Sequence, residues 1–289
     1  MSPGEAPHPL AAAEEFRGVI PYPEAQKYAE ENGMTIGQLM LDLLPLAETY
    51  ARPAISSFPV GAIVQGSTTK ALYLGANIEF VGGALSFTMH AEQAGTINAW
   101  QNGEQGLLQL AVTDAPCGYC RQFLYETSTA AELMVLLKER EPALLETFLP
   151  DPFGPKQLEK SGALMDPENA GLKLDSPSSD PVVLAALAEA NASYAIYTGG
   201  HAGIGVQTRS GEVFGGRLAE NAAYNPSVSP LESALDMWIL ATRGADPVTR
   251  VVLIEVDGII ADQESATRAL LPSLGGPNKV TFERLGAHT

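Results

Sequence analysis

The chain has 289 residues, 45% of them hydrophobic and 18% charged, with a formal net charge of -17. That length can bury one large or two ordinary cores without disulfides, and the composition excludes a disordered or low-complexity protein. So acidic a surface repels polyanions, and the scattered Lys and Arg form no basic cluster, which excludes nucleic acid as the expected partner.

The first sixteen residues hold no Lys or Arg, so the basic region of a secretory signal is missing. No apolar run approaches the roughly 18 residues of a membrane span. The expected location is the cytoplasm, with no membrane partner. Both cysteines lie in one C-x-x-C, which rules out a long-range disulfide framework and fits a reducing compartment.

In chain order, residues 23–32 predict a short helix, with Pro23 near its first turn and Gly33 just past its end. Thr35 and Gln38 have capping-box spacing, and Leu39, Met40, Leu43, Leu44 and Ala47 predict one continuous second helix packed on a sheet. Residues 58–64 and 71–74 read as two antiparallel strands around a Gly66-Ser67-Thr68-Thr69 turn. A helix over 91–101, a strand over 107–113, a helix opened by Pro116 and a strand over 133–137 follow. This order predicts an α/β layered domain with a mixed sheet. Residues 149–181 are rich in Pro, Gly, Ser and Asp and predict a long connection.

Beyond it the pattern repeats weakly. Leu184 to Ala188 matches Leu43 to Ala47, Gly205-Val206-Gln207 matches Ile63-Val64-Gln65, and Gly215 precedes Glu232 by the same 17 residues that separate Gly75 from Glu92. On that count Pro230 takes the place of His90, Glu232 persists in the place of Glu92, and Arg217 and Ala219 replace Asn77 and Glu79.

The chemistry is concentrated in His90-Ala91-Glu92 and, with Cys117 standing 25 residues after Glu92, in Pro116-Cys117-Gly118-Tyr119-Cys120. H-x-E followed by P-C-x-x-C is the signature of the zinc deaminases. Three ligands of the N,S,S type, His90, Cys117 and Cys120, leave the fourth tetrahedral position open, as a catalytic zinc requires. A turn at a helix start lets both thiolates converge on one ion and favours their ionised form. Glu92, two residues from the histidine, can reach that open position without ligating. It would take a proton from the bound water and return it to the substrate, while the hydroxide attacks C4 of a cytosine ring. Alone, H-x-E is an ordinary helix start and C-x-x-C a redox pair, but a redox pair does not explain His90 and Glu92, and a structural zinc calls for a fourth ligand.

Four segments carry a resemblance: Phe58-Pro59-Val60-Gly61-Ala62, Gly75-Ala76-Asn77-Ile78-Glu79-Phe80, His90-Ala91-Glu92-Gln93 and Pro116-Cys117-Gly118-Tyr119-Cys120-Arg121-Gln122-Phe123. They resemble the cytidine deaminases, and the chain is most similar to the long, homodimeric bacterial type in which a catalytic domain precedes a degenerate, metal-free copy. The resemblance implies two layered αβα domains of mixed sheet: a helical segment 1–36, a zinc-binding catalytic domain 37–148, a linker 149–180 and a degenerate domain 181–289. It implies one zinc ion per chain and hydrolysis of cytidine and deoxycytidine to uridine and deoxyuridine, with release of ammonia, in pyrimidine salvage. It also implies that Asn77 and Glu79 bind the ribose hydroxyls, that Phe58 packs on the pyrimidine and that Ala91 is a further substrate-binding position. Asn77 and Glu79 at alternate positions of an extended stretch would point to one side; otherwise they are a turn-stabilising amide and a surface acid. Residues 149–155 resemble the linker that reaches over a partner subunit's site, where Phe153 would close the pocket; the alternative is an aromatic anchoring a Pro-rich loop to its own domain.

The competing readings are a deaminase of bases in RNA or DNA, disfavoured by the acidity and by Asn77 and Glu79, and a zinc-stabilised protein without activity, for which Glu92 has no use.

Overall fold

The computed structural model describes residues 13–274 and 280–289. The chain forms two compact units, one built from the residues up to Ile78 together with Met89–Phe153, the other from Glu79–Thr88 and Gly154–Thr289.

In the first unit, helix α1 (Tyr22–Glu31) has proline in its first turn, and Gly33, at φ +65°, follows its end. Helix α2 (Ile36–Asp42) opens on the expected capping box: Gln38 N–H donates to Thr35 Oγ1 at 3.2 Å and Thr35 N–H donates to Gln38 Oε1 at 2.8 Å. The continuous helix predicted through Ala47 is broken. Helix α2 stops at Asp42 and a separate helix α3 (Leu44–Glu48) follows, with proline in its first turn. Pro45 has no N–H to give and its ring crowds the carbonyl of residue 41, so the chain pivots at Leu43.

Six strands follow the order β1-β3-β2-β4-β5-β6, with β1 Val19–Ile20, β2 Gly61–Gly66, β3 Leu72–Ala76, β4 Leu107–Val112, β5 Met134–Leu136 and β6 Ala143–Leu144. Only β4 and β5 run parallel. Strand β2 starts three residues later than predicted. Pro59 cannot donate to a ladder, and the backbone at Phe58 and Val60 is held by Asn77, just past the end of β3: its side chain bonds the Val60 N–H and the Phe58 carbonyl, and its backbone N–H donates to the Val60 carbonyl at 3.2 Å. Helices α4 (Ala91–Gln101), α5 (Gly118–Leu124) and α6 (Leu145–Phe148) complete the unit.

Helix α4 is buried along almost its whole length and lies on β2 and β3. Its approach is set by Gly75 on β3, where a Cβ would fall 2.0 Å from Gly95 N and 2.4 Å from the Ala91 carbonyl. Any side chain there would push the helix off the sheet. Gly61 on β2 gives α3 the same close seat, 2.9 Å from the Leu44 carbonyl and 2.8 Å from Glu48 N.

The second unit contains α7 (Pro181–Asn191), β7 (Ala202–Thr208), β8 (Val213–Arg217), α8 (Pro230–Thr242), β9 (Val248–Val256), α9 (Glu264–Leu274) and β10 (Thr281–Ala287). Its sheet order, β10-β9-β7-β8 with β10 and β9 parallel, reproduces β5-β4-β2-β3. Each sheet shifts register after the same glutamine, between Gln65 and Gly66 and between Gln207 and Thr208. The mixed α/β class and the doubled architecture expected from sequence are both present. No helix among the described residues is long and apolar enough to cross a membrane.

Candidate metal centre

His90 is the N-cap of α4 and Cys117 the N-cap of α5, so two helix starts face one another across the end of the sheet. Cys120 lies in the first turn of α5, fully buried, while Cys117 is exposed. His90 Nδ1 stands 3.6 Å from Cys117 Sγ and 3.2 Å from Cys120 Sγ, and the two sulfurs are 3.6 Å apart. A tetrahedral zinc with ordinary Zn–N and Zn–S bonds needs N–S edges of about 3.6 Å and S–S edges of about 3.8 Å. The donor triangle therefore fits the ion as it stands. Among the described residues it is the only group of three His, Cys, Asp or Glu side chains gathered closely enough to hold a metal.

The backbone N–H of His90 donates to Gln93 Oε1 at 3.1 Å, which fixes the start of α4 and with it the histidine. Glu92, in the next position but one, is buried at 4% exposure. Burial holds its carboxyl above the ordinary range, against its own backbone N–H, the nearby His90 and a hydrogen bond with Cys120. Without a metal the thiols divide one proton between them: the hydrogen bond from Cys120 brings Cys117 down to about 3, and the same bond, with burial, raises Cys120 well above its usual value. A dication beside Cys120 removes that penalty, because it favours thiolate.

Asn77 is buried, with Oδ1 accepting from Val60 N–H at 2.9 Å and Nδ2 donating to the Phe58 carbonyl at 3.0 Å. It thus fastens the turn carrying Phe58, whose ring is 56% exposed, and an amide so engaged retains one N–H and one lone pair for a ligand. Ala91 is fully buried at the first position of α4. Glu79 is half-buried and belongs to the second unit, so the structure does not gather it into the same unit as Asn77 and the donor triangle. Phe153 is 43% exposed, and its carbonyl accepts from Gln122 Nε2 at 2.8 Å. Sequence reasoning gave no role to Gln93, Arg121 or Gln122; their only signal was their place beside the metal motif.

The second unit corrects the residue-by-residue match. Ile78 bridges Arg52 and Met89, and Ala219 bridges Tyr194 and Val228 in the same parallel and antiparallel senses. Ser229 is the N-cap of α8, as His90 is of α4, and Glu232 closes its capping box as Gln93 does. Ser229 therefore replaces the histidine, Leu231 replaces Glu92, and Glu232 is a capping residue, not a persisting catalytic acid. Leu218 and Glu220, not Arg217 and Ala219, occupy the places of Asn77 and Glu79. Glu220 accepts from Tyr197 N–H at 2.8 Å and from the Thr198 hydroxyl, as a turn clamp.

The fold and the donor triangle define a zinc-binding deaminase architecture, one half of it without the metal ligands. Comparison with known proteins agrees. The family model for the cytidine and deoxycytidylate deaminase zinc-binding region matches twice, over residues 34–136 and 145–268. The cytidine deaminase of Yersinia pestis (strain Pestoides F) is 39% identical over 276 residues, covering 95% of this chain and 93% of its own length. That of Serratia proteamaculans (strain 568) is 40% identical over 272 residues, covering 93% and 92%. A crystal structure of cytidine deaminase from Mycobacterium tuberculosis is 31% identical, covers 40% of this chain and 96% of that one, and superposes with a TM-score of 0.37. The chain belongs to the cytidine deaminase family, and is a zinc-dependent hydrolase.

Proposed function

We propose that this chain hydrolyses cytidine and deoxycytidine to uridine and deoxyuridine with release of ammonia, as in pyrimidine salvage. The observation that carries the reading is the buried carboxyl of Glu92 beside the His90–Cys117–Cys120 triangle. These three residues hold one zinc per chain, and Glu92 is the proton carrier. Bound there, zinc would lower the pKa of a water enough for it to serve as a nucleophile at neutral pH. Glu92 takes a proton from that water and delivers protons to N3 and to the departing amine of the base. Burial raises its pKa above the ordinary carboxyl value, the direction that favours the proton-holding form needed for donation.

Phe58 packs on the pyrimidine, Ala91 lines the base pocket, Asn77 turns its remaining N–H to the sugar and Glu79 accepts a ribose hydroxyl. A carboxylate at Glu79 disfavours a phosphate, so nucleosides are preferred over their monophosphates. We assign residues 1–36 as an N-terminal segment, whose helix is Tyr22–Glu31 and whose residues 1–12 lie outside those described, 37–148 as the catalytic domain, 149–180 as the linker and 181–289 as the degenerate domain. The active form is a cytoplasmic homodimer in which Phe153 closes the partner's pocket. Ammonia release from cytidine, deoxycytidine, cytosine and the monophosphates, with zinc quantified on the same sample, tests the reading. Turnover of free cytosine or of the monophosphates at the nucleoside rate would remove the sugar contacts from it.

A further inference from the structure

One residue of α5, Arg121, holds together chain segments well separated in sequence. Arg121 Nε donates to the Pro116 carbonyl at 2.6 Å, and its Nη1 donates to the Phe148 carbonyl at 2.8 Å, with the guanidinium 5.8 Å from the Phe148 ring. Pro116 directly precedes Cys117, so the guanidinium closes a loop around the first sulfur from the residue that follows the second. The Cys117 carbonyl is already committed to Arg121 N–H at 3.0 Å, as the first bond of the helix. Both ends of the Cys117 peptide region are thereby tied to Arg121, one by its backbone and one by its side chain.

We propose that Arg121 is a positioning residue for the metal: it fixes the Pro116–Cys117 turn so that Cys117 Sγ completes the triangle, and it braces that turn against the Phe148 backbone. The inference rests on Cys117 and Cys120 being the ligands. Three features favour it over a merely structural role. Cys117 is the exposed member of the pair, so little packing holds it in place. The 2.6 Å contact is short and charge-assisted, at the point in the loop where a small rotation would swing the sulfur out. The guanidinium fork reaches two carbonyls on different segments at once, which a lysine ammonium at the end of a flexible stem does not reproduce.

The test is the rate at which a chromogenic chelator strips zinc from the full-length, zinc-loaded protein, measured with the unfolding midpoint of each variant. Arg121→Ala and Arg121→Lys should both lose zinc about 10- to 100-fold faster than the parent, the scale for removing a group that orients a ligand. Phe148→Leu, which keeps the carbonyl and removes only the ring, should release zinc at the parent rate. Should Arg121→Ala fail to fold, Arg121→Lys decides. Parental zinc release in Arg121→Lys overturns the proposal, and so does equal acceleration in Phe148→Leu, which would place the effect in packing around the ring. If the parent itself bound no zinc, the ligand assignment would fall instead, and that outcome is read directly from its metal content.

Discussion

The two units share a frame and differ in what is mounted on it. Gly75 lets α4 rest on β3 through the Ala91 carbonyl and Gly95 N, and Gly216 lets α8 rest on β8 through the Pro230 carbonyl and Ala234 N, where a Cβ on Gly216 would fall 2.2 Å from each. Gly61 and Gly203 seat α3 and α7 in the same way. An acid closes each hairpin: Glu104 accepts from Thr68 N–H at 2.6 Å and Tyr73 Oη at 2.9 Å, and Asp246 accepts from the Ser210 hydroxyl at 2.5 Å. The second unit has thus kept the residues that fix backbone against backbone, while serine and leucine stand where the histidine and the glutamate would be. Scaffold and chemistry are separable here, residue by residue.

The sharpest break of that comparison is at the paired helix positions Glu92 and Leu231. Glu92→Gln should lower kcat by about 100- to 10,000-fold, the range for removing a general acid and base, while zinc content and melting temperature hold. Leu231→Gln should leave kcat unchanged and lower only stability. A fully active Glu92→Gln would end the proton-carrier assignment. Cys117→Ala should abolish tight zinc binding, which metal analysis reads directly.

Next in size are the glycines. Gly75→Ala and Gly216→Ala should each cost about 1–3 kcal/mol or more, because an added methyl meets helix backbone that cannot step aside. Denaturant unfolding measures both, and only Gly75→Ala should also weaken zinc retention, since only α4 carries His90. Equal effects on zinc would show that the frame and the site are not independent.

A smaller effect separates the helices themselves. Counting from the N-caps, Asp236 of α8 stands where α4 has Ile97, and it is buried with Oδ2 lacking a hydrogen-bond partner. Burial raises its pKa well above the ordinary carboxyl range. The unfolded chain ionises this group near its ordinary pKa and the folded chain does not, so rising pH favours unfolding until the folded pKa is passed. Asp236→Leu should remove that slope, and its melting-temperature advantage over the parent should widen from pH 5 to pH 8. A constant difference across that range would refute the ionisation argument. The smallest contrast is between the hairpin acids: Glu104→Gln, at a site 1% exposed, should destabilise measurably, whereas Asp246→Asn, on the surface, should change the melting temperature little.

Much of this was legible from residue types. The Thr35 capping box, the helix at 91–101 and strands β2 to β5 followed from local pattern, whereas the two-residue strands β1 and β6 are too short to carry one, and the donor set followed from the motif and its spacing. What failed did so where the cause is not local. Pro45 split a helix whose apolar period ran through it. The repeat was misaligned because its loops changed length: six residues separate Gln65 from its partner Leu72, but five separate Gln207 from Val213. The stretch from Gly75 to the N-cap His90 spans 15 residues, and that from Gly216 to Ser229 spans 13. The constant count of 17 therefore joined residues that are not equivalent, and only hydrogen-bond register exposes this. Arg121 was invisible for a related reason, since nothing in a sequence says which carbonyls a guanidinium reaches.

The edges of the donor triangle are those of a tetrahedral zinc site, and edge length selects an ion as much as donor chemistry does. Cobalt(II), close to zinc in radius and bond length, therefore fits the seat without moving a residue, whereas the longer bonds of cadmium would require the two cysteines to spread.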